Sequence, residues 1–163
     1  MAKPRPSTHD HASCVGHALA TADALCAKAG WRLTPLRKRV LELIWASHRP
    51  VGAYALLAAL GRERGRVAPP TVYRALKSAT AHGLVHRIAS ANAFVGCDRP
   101  QATHASQFLL CADCGDAVEL ADAEIGRAVA VGARRRGYSI ESQVVEVVGR
   151  CAQCTDAGGP HGR

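Results

Sequence analysis

The sequence predicts an α+β protein: an N-terminal winged helix-turn-helix domain followed by a small α/β unit rich in cysteine. Three observations carry that reading. Apolar residues recur at helical spacing through the first half and then give way to two short strand-like runs. Charge is lopsided: residues 1–90 hold 14 Lys/Arg against 4 Asp/Glu, a net of +10, whereas residues 91–163 hold 7 against 9, a net of −2. Cysteine leans the other way, with five of the seven after residue 90. A basic module suits a polyanionic partner, and crowded thiols suit metal or redox chemistry.

Length and composition set the limits. A chain of 163 residues forms one ordinary domain or two small ones, and 48% hydrophobic residues suffice for packed cores. No apolar run is long enough to span a bilayer, and "MAKPRPSTHDHAS" lacks the apolar core of a secretory signal. A soluble cytosolic protein without a membrane partner is therefore expected. Thiols stay reduced in that compartment, so disulfides are not.

The elements follow in order. Residues 1–16 are polar and Pro/His-rich and read as a flexible tail. His9, His11, Cys14 and His17, in or beside it, receive no metal, because a loose tail fixes no geometry. An Ala/Leu-rich helix is expected from about His17 to Ala29, with Cys26 as a small buried residue. "LTPLRKRVLELIWAS" opens a second helix, with Thr34 as N-cap and Pro35 at the first helical position. Its Leu36, Val40, Leu43 and Ile44 share one face. "AYALLAALGRERG" is a third, with Leu56, Leu57 and Leu60 inward. "PPTVYRALKSATAH" is a fourth, introduced by proline and stopped by Gly83, with Val72, Leu76 and Ala79 as its stripe. "LVHRI" and "AFVG", joined by "ASAN", read as a β-hairpin. Helices followed by a hairpin make a winged helix over residues 17–96, whose last helix fits a DNA major groove.

On that helix Thr71, Tyr73, Arg74 and Lys77 are candidate contacts to double-stranded DNA. Arg74 is the expected base reader, since a guanidinium makes paired hydrogen bonds to a guanine edge. Arg37, Arg39 and the "GRERGR" arginines suit phosphates, which position without specifying.

Residues 97–106, including the polar "CDRPQATH", read as a hinge, residues 107–155 as the second domain and 156–163 as a short tail. That domain carries "CADC" at Cys111 and Cys114 and "CAQC" at Cys151 and Cys154, 36 residues apart. Two such pairs match a closed structural Zn²⁺ site, which leaves no open position for chemistry. A single pair would also suit a thioredoxin-like redox motif, but the expected βαβ context is absent. Between the pairs, "CGDAVEL" reads as a strand, "ADAEIGRAVAVGARRRG" as a helix, and "YSIESQVVEVVGR" as a long strand with Ile140, Val144 and Val148 recurring. So small a unit needs a metal cross-link or a dimer partner to fold.

"RLTPLRKRVLELI", "PPTVYRAL", "GLVHRI", "CADCG" and "GRCAQC" follow one another as in the ferric-uptake-regulator family of bacterial metalloregulators. The resemblance covers roughly residues 17–155 and is strongest to the family's zinc-uptake regulators. It implies a homodimeric, zinc-responsive repressor of zinc-uptake genes acting on operator DNA, with two Zn²⁺ per subunit. It assigns Cys111, Cys114, Cys151 and Cys154 to structural zinc, and His86, Cys97, His104 and Glu119 to regulatory zinc. Tyr54 and Arg74 match positions through which the family contacts DNA. Thiolate, carboxylate and two neutral imidazoles balance Zn²⁺ and favour it over oxygen-seeking ions. "THASQFLLC" lacks the His-His-Asp-His-like run of the iron and peroxide sensors. The runner-up within the family is a sensor of iron, manganese or nickel. Outside it stand a thiol-redox or zinc enzyme, for which no Ser/His/Asp arrangement appears, and a structural zinc-ribbon protein, which leaves the +10 front half unexplained.

Overall fold

In the computed structural model, which describes residues 11–47, 49–100 and 106–156, the chain divides into two compact units. The front unit begins with α1 (His11–Lys28), six residues earlier than its apolar pattern suggests, so that Cys14 and His17 lie on a helix. Residues 1–10, with His9, lie outside the described residues. The helix is followed by α2 (Pro35–Trp45), the two-residue strand β1 (Val51–Gly52), α3 (Ala53–Arg64), α4 (Pro69–Ala81), β2 (Val85–Ile88) and β3 (Ala93–Gly96).

Local chemistry accounts for these boundaries. The Thr34 hydroxyl accepts the Arg37 amide at 3.5 Å and so caps α2, with Pro35 in the first turn where no amide is needed. Pro69 opens α4 in the same way. Gly83 ends α4 at a φ of 67°, a left-handed conformation that glycine adopts without strain. One face of each helix then meets the others in a single core. Ala22 and Cys26 of α1, Val40, Leu41 and Ile44 of α2, Leu56 and Leu60 of α3, and Val72, Ala75, Leu76 and Ala79 of α4 are all buried. Each large aliphatic buried there contributes about 1.5–3 kcal/mol. Leu36, Leu43 and Leu57 pack only partly against this cluster.

The wing is a three-stranded sheet, not a two-stranded hairpin. Strand order is β1-β3-β2, with β2 and β3 antiparallel from Val85↔Gly96 to Ile88↔Ala93 and β1 added through Val51↔Phe94 and Gly52↔Ala93. A strand of two residues has no periodicity to read, so β1 was invisible in the sequence. Gly96 serves the packing: a Cβ at that position would run into the Trp45 indole.

The back unit is a second three-stranded sheet, of order β5-β4-β6. Its central strand is β4 (Ser106–Cys111), flanked by antiparallel β5 (Ala117–Leu120) and parallel β6 (Val144–Gly149). Helix α5 (Ala123–Arg135) connects β5 to β6, capped by the Asp122 carboxylate, which accepts the Glu124 amide at 2.7 Å. The expected long strand from Tyr138 is shorter: β6 starts at Val144, opposite Ser106, where its described partner starts, and Ile140 lies before it. Short helix α6 (Ala152–Asp156) closes the described unit.

Candidate metal centre and nucleic-acid interface

Parallel pairing of β4 with β6 assembles the four-cysteine cluster. Cys111 is the last residue of β4 and lies in register with Gly149, the last of β6, so both Cys-x-x-Cys motifs emerge at one end of the sheet. An antiparallel β6 would have sent them to opposite ends. Each motif then folds into a tight turn. The Gly115 amide donates to the Cys111 carbonyl at 2.9 Å, with Gly115 at a φ of 74°, and the Thr155 amide donates to the Cys151 carbonyl at 3.0 Å. The Ala112 amide bonds the Gly149 carbonyl at 2.8 Å, and Arg150 pairs with Asp113 at 3.1 Å, tying one turn to the other.

The four sulfurs lie within 4.8 Å of one another. Tetrahedral Zn–S bonds of about 2.3 Å require sulfurs about 3.8 Å apart, and Cys114 Sγ and Cys151 Sγ stand at 3.9 Å. That distance is far beyond a disulfide bond of about 2.05 Å, and all seven cysteines are free thiols. Backbone amides already favour charge at one ligand: hydrogen bonds from Cys114 and then Cys151 pull the Cys111 thiol down to about 6. Cys154, hydrogen-bonded to Cys151 and partly buried, is pushed up to about 12. One ready thiolate beside thiols that share protons is a donor set that a soft divalent cation completes by displacing those protons.

The second set of expected ligands is divided between the units. In the front unit His86 on β2 and Cys97, immediately after β3, place ligand atoms within 4.8 Å of each other. Cys97 is buried and its amide donates to the Leu84 carbonyl at 3.1 Å, which holds the thiol at the base of the wing. Glu119 lies on β5 of the back unit, half-buried and in register with Phe108. His104 lies outside the described residues.

The expected DNA contacts lie on the outer side of the front unit. Helix α4 buries Val72, Ala75, Leu76 and Ala79, which leaves Tyr73, Arg74 and Lys77 exposed and Thr71 half-buried. Tyr54, at the start of α3, is 77% exposed. The expectation that Arg39 meets phosphate is corrected. Its guanidinium grips both Glu63 oxygens and bonds Glu42 at 2.7 Å, and these acceptors raise its proton affinity further. Arg37 is also engaged, donating to the Arg32 carbonyl at 2.9 Å and lying 4.9 Å over the Trp31 ring. That indole in turn stacks on His82, with centroids 4.0 Å apart. Arg62 and Arg66 remain exposed.

A basic recognition helix beside a β wing, followed by a four-thiol metal centre, defines a metal-binding winged-helix protein. The profile of the ferric uptake regulator family matches residues 28–148, and the chain belongs to that family. It is 35% identical over 139 residues to the zinc uptake regulation protein of Escherichia coli (strain K12), covering 85% of this chain and 81% of the relative. It is 30% identical over 129 residues to the protein of the same name from Mycobacterium tuberculosis (strain ATCC 25618 / H37Rv), covering 77% and 96%. Among solved structures, a zinc uptake regulator complexed with zinc and DNA aligns with a TM-score of 0.84 at 34% identity, covering 88% of this chain and 97% of that one. The holo form of XcZur aligns at 0.78 and 42% identity, covering 85% and 96%. Among the described residues, no helix is long and apolar enough to cross a membrane.

Proposed function

We propose that the chain is a zinc-responsive, DNA-binding transcriptional repressor of zinc-uptake genes and not an enzyme. The observation that carries the reading is the His86–Cys97 pair at the base of the wing, which sets a metal-ligating pair inside the unit that bears the recognition helix. A metal gripped there acts directly on the DNA-binding module. Relatives at 35% and 30% identity bearing the zinc uptake regulation name support the choice of zinc.

In this mechanism Cys111, Cys114, Cys151 and Cys154 hold a structural zinc that keeps the back domain folded. Glu119 and His104 join His86 and Cys97 around a second zinc, so that the ion fastens the DNA-binding domain to the dimerisation domain across the hinge. A second copy of the chain covers the apolar residues exposed on the back unit, and the dimer presents two copies of α4 to the two half-sites of an operator. Arg74 reads bases, while Tyr54, Thr71, Tyr73 and Lys77 hold the helix in register. To turn an ensemble from about 1:99 to 99:1 closed, zinc must favour the closed form by ~5.5 kcal/mol. Operator DNA then tightens zinc binding by the same factor that zinc tightens DNA binding.

The test is operator binding titrated with Zn, Mn, Fe and Ni in competition. Zinc is expected to be the ion that raises affinity at the lowest free concentration; another ion leading the series would make the protein a sensor of that metal. Arg74→Ala is expected to lose roughly 1–3 kcal/mol of discrimination between operator and random DNA. Full operator preference in that variant would remove Arg74 as the reader.

A further inference from the structure

A groove of about 580 Å³ opens in the front unit between α4 and the wing, lined among others by Tyr54, Tyr73, Lys77, Arg87, Asn92 and Phe94. No carboxylate is among its lining residues. Two cations, Lys77 from the helix and Arg87 from β2, face it from different elements, and Leu76 and Phe94 give it an apolar floor. Arg87 is held in place: its Nη2 donates to the Asn92 Oδ1 at 3.0 Å. Asn92 sits in the β2–β3 turn at a φ of 45°, a left-handed conformation that asparagine tolerates better than most residues. One of the five guanidinium donors is thereby used and others are left for a partner.

Two cations without a carboxylate call for an anion, and the aromatic and aliphatic walls call for a carbon body attached to it. We propose that this groove seats one backbone phosphate of operator DNA and its deoxyribose. The phosphate lies between Lys77 and Arg87, and the sugar lies against Tyr73 and Phe94. Asn92 is a positioning residue that orients Arg87 before DNA arrives, which lowers the ordering cost of binding. The inference rests on reading the front unit as a DNA-binding module and goes beyond it by naming the seat. Because Tyr73 and Lys77 flank Arg74 along α4, a strand fixed in the groove sets the register from which Arg74 reaches base edges.

The experiment measures zinc-loaded full-length protein on operator and on random DNA across a salt series. Arg87→Gln and Lys77→Gln are each expected to lower the slope of log affinity against log salt by about 1, and to weaken both DNAs alike. Asn92→Gly keeps the left-handed turn and the full charge, so it should keep the slope while weakening binding severalfold. Operators carrying single neutral methylphosphonates then locate the seat. One position in each half-site should weaken the wild type about tenfold, as expected for losing a charge-assisted bond, and leave Arg87→Gln unaffected. Wild-type slopes in both glutamine variants, or a methylphosphonate penalty undiminished in Arg87→Gln, would overturn the proposal. A wild-type protein that binds no operator under any metal would instead remove the DNA reading beneath it.

Discussion

The two units of this chain solve the same stability problem by different means. The front unit buries an apolar core drawn from four helices and the wing, and Tyr54 and Tyr73 are its only exposed large hydrophobic residues among those described. The back unit buries little beyond Gln107, Phe108, Cys111 and Ala117, and α5 buries none of its residues. It nevertheless exposes Leu109, Val129, Val131, Tyr138, Ile140, Val144, Val147 and Val148. A unit of that size with so small a core cannot offset its chain entropy by apolar burial alone. The contrast teaches where metal and partner matter: the front unit is held by packing, the back unit by four thiols and by whatever covers its apolar residues.

The comparison breaks most visibly at the cluster. Cys154→Ser leaves three thiolates for zinc, and structural zinc is worth about 10–16 kcal/mol in small peptides against roughly 5–15 kcal/mol for a whole domain. The variant is expected to be monomeric, aggregated or unfolded in its back unit, as read by sedimentation and zinc counting. A stable zinc-responsive dimer from this variant would mean that packing suffices there too.

Cys97→Ser tests the reverse case, a metal ligand in a unit that packing already holds. Both units should stay folded and dimeric with about one zinc fewer per chain, and the zinc-dependent gain in operator affinity, up to ~5.5 kcal/mol for a complete switch, should vanish. Gel shifts with and without zinc decide it, and normal repression would exclude Cys97 from sensing. His86→Ala should behave alike.

Packing in the front unit is probed at Gly96. Gly96→Ala drives a methyl into the Trp45 indole, and overpacking of this kind costs typically ~1–3 kcal/mol. Thermal denaturation should show a lower Tm for the front unit with the cluster's zinc retained. An unchanged Tm would show that Trp45 can move aside at no cost.

The smallest effect sharpens the account of charge. Arg39 is about one-third exposed and paired with Glu63 and Glu42, so Arg39→Ala should lose no more than ~1 kcal/mol of stability. The salt dependence of DNA binding should stay at the wild-type slope, in contrast to Arg87→Gln. A slope reduced by about 1 would return Arg39 to the set of phosphate contacts.

Local signals wrote much of this molecule in advance. The Thr34 cap, the prolines that open α2 and α4, the apolar stripes and the spacing within each Cys-x-x-Cys act within about one helical turn, so they can be read along the chain. The four thiols and the outward Tyr73, Arg74 and Lys77 of α4 were legible for that reason. What tertiary structure alone decided are pairings between distant residues. The parallel run of β6 on β4 carries the two cysteine pairs to one end of a sheet, and two-residue β1 exists only because β3 offers it an edge. Glu63, 24 residues away, withdraws Arg39 from DNA, while Asn92 across a turn holds Arg87 beside the groove. Composition gave these two arginines the same charge. Their opposite roles follow from which acceptor reaches each guanidinium in space, a question that no spacing along the sequence contains.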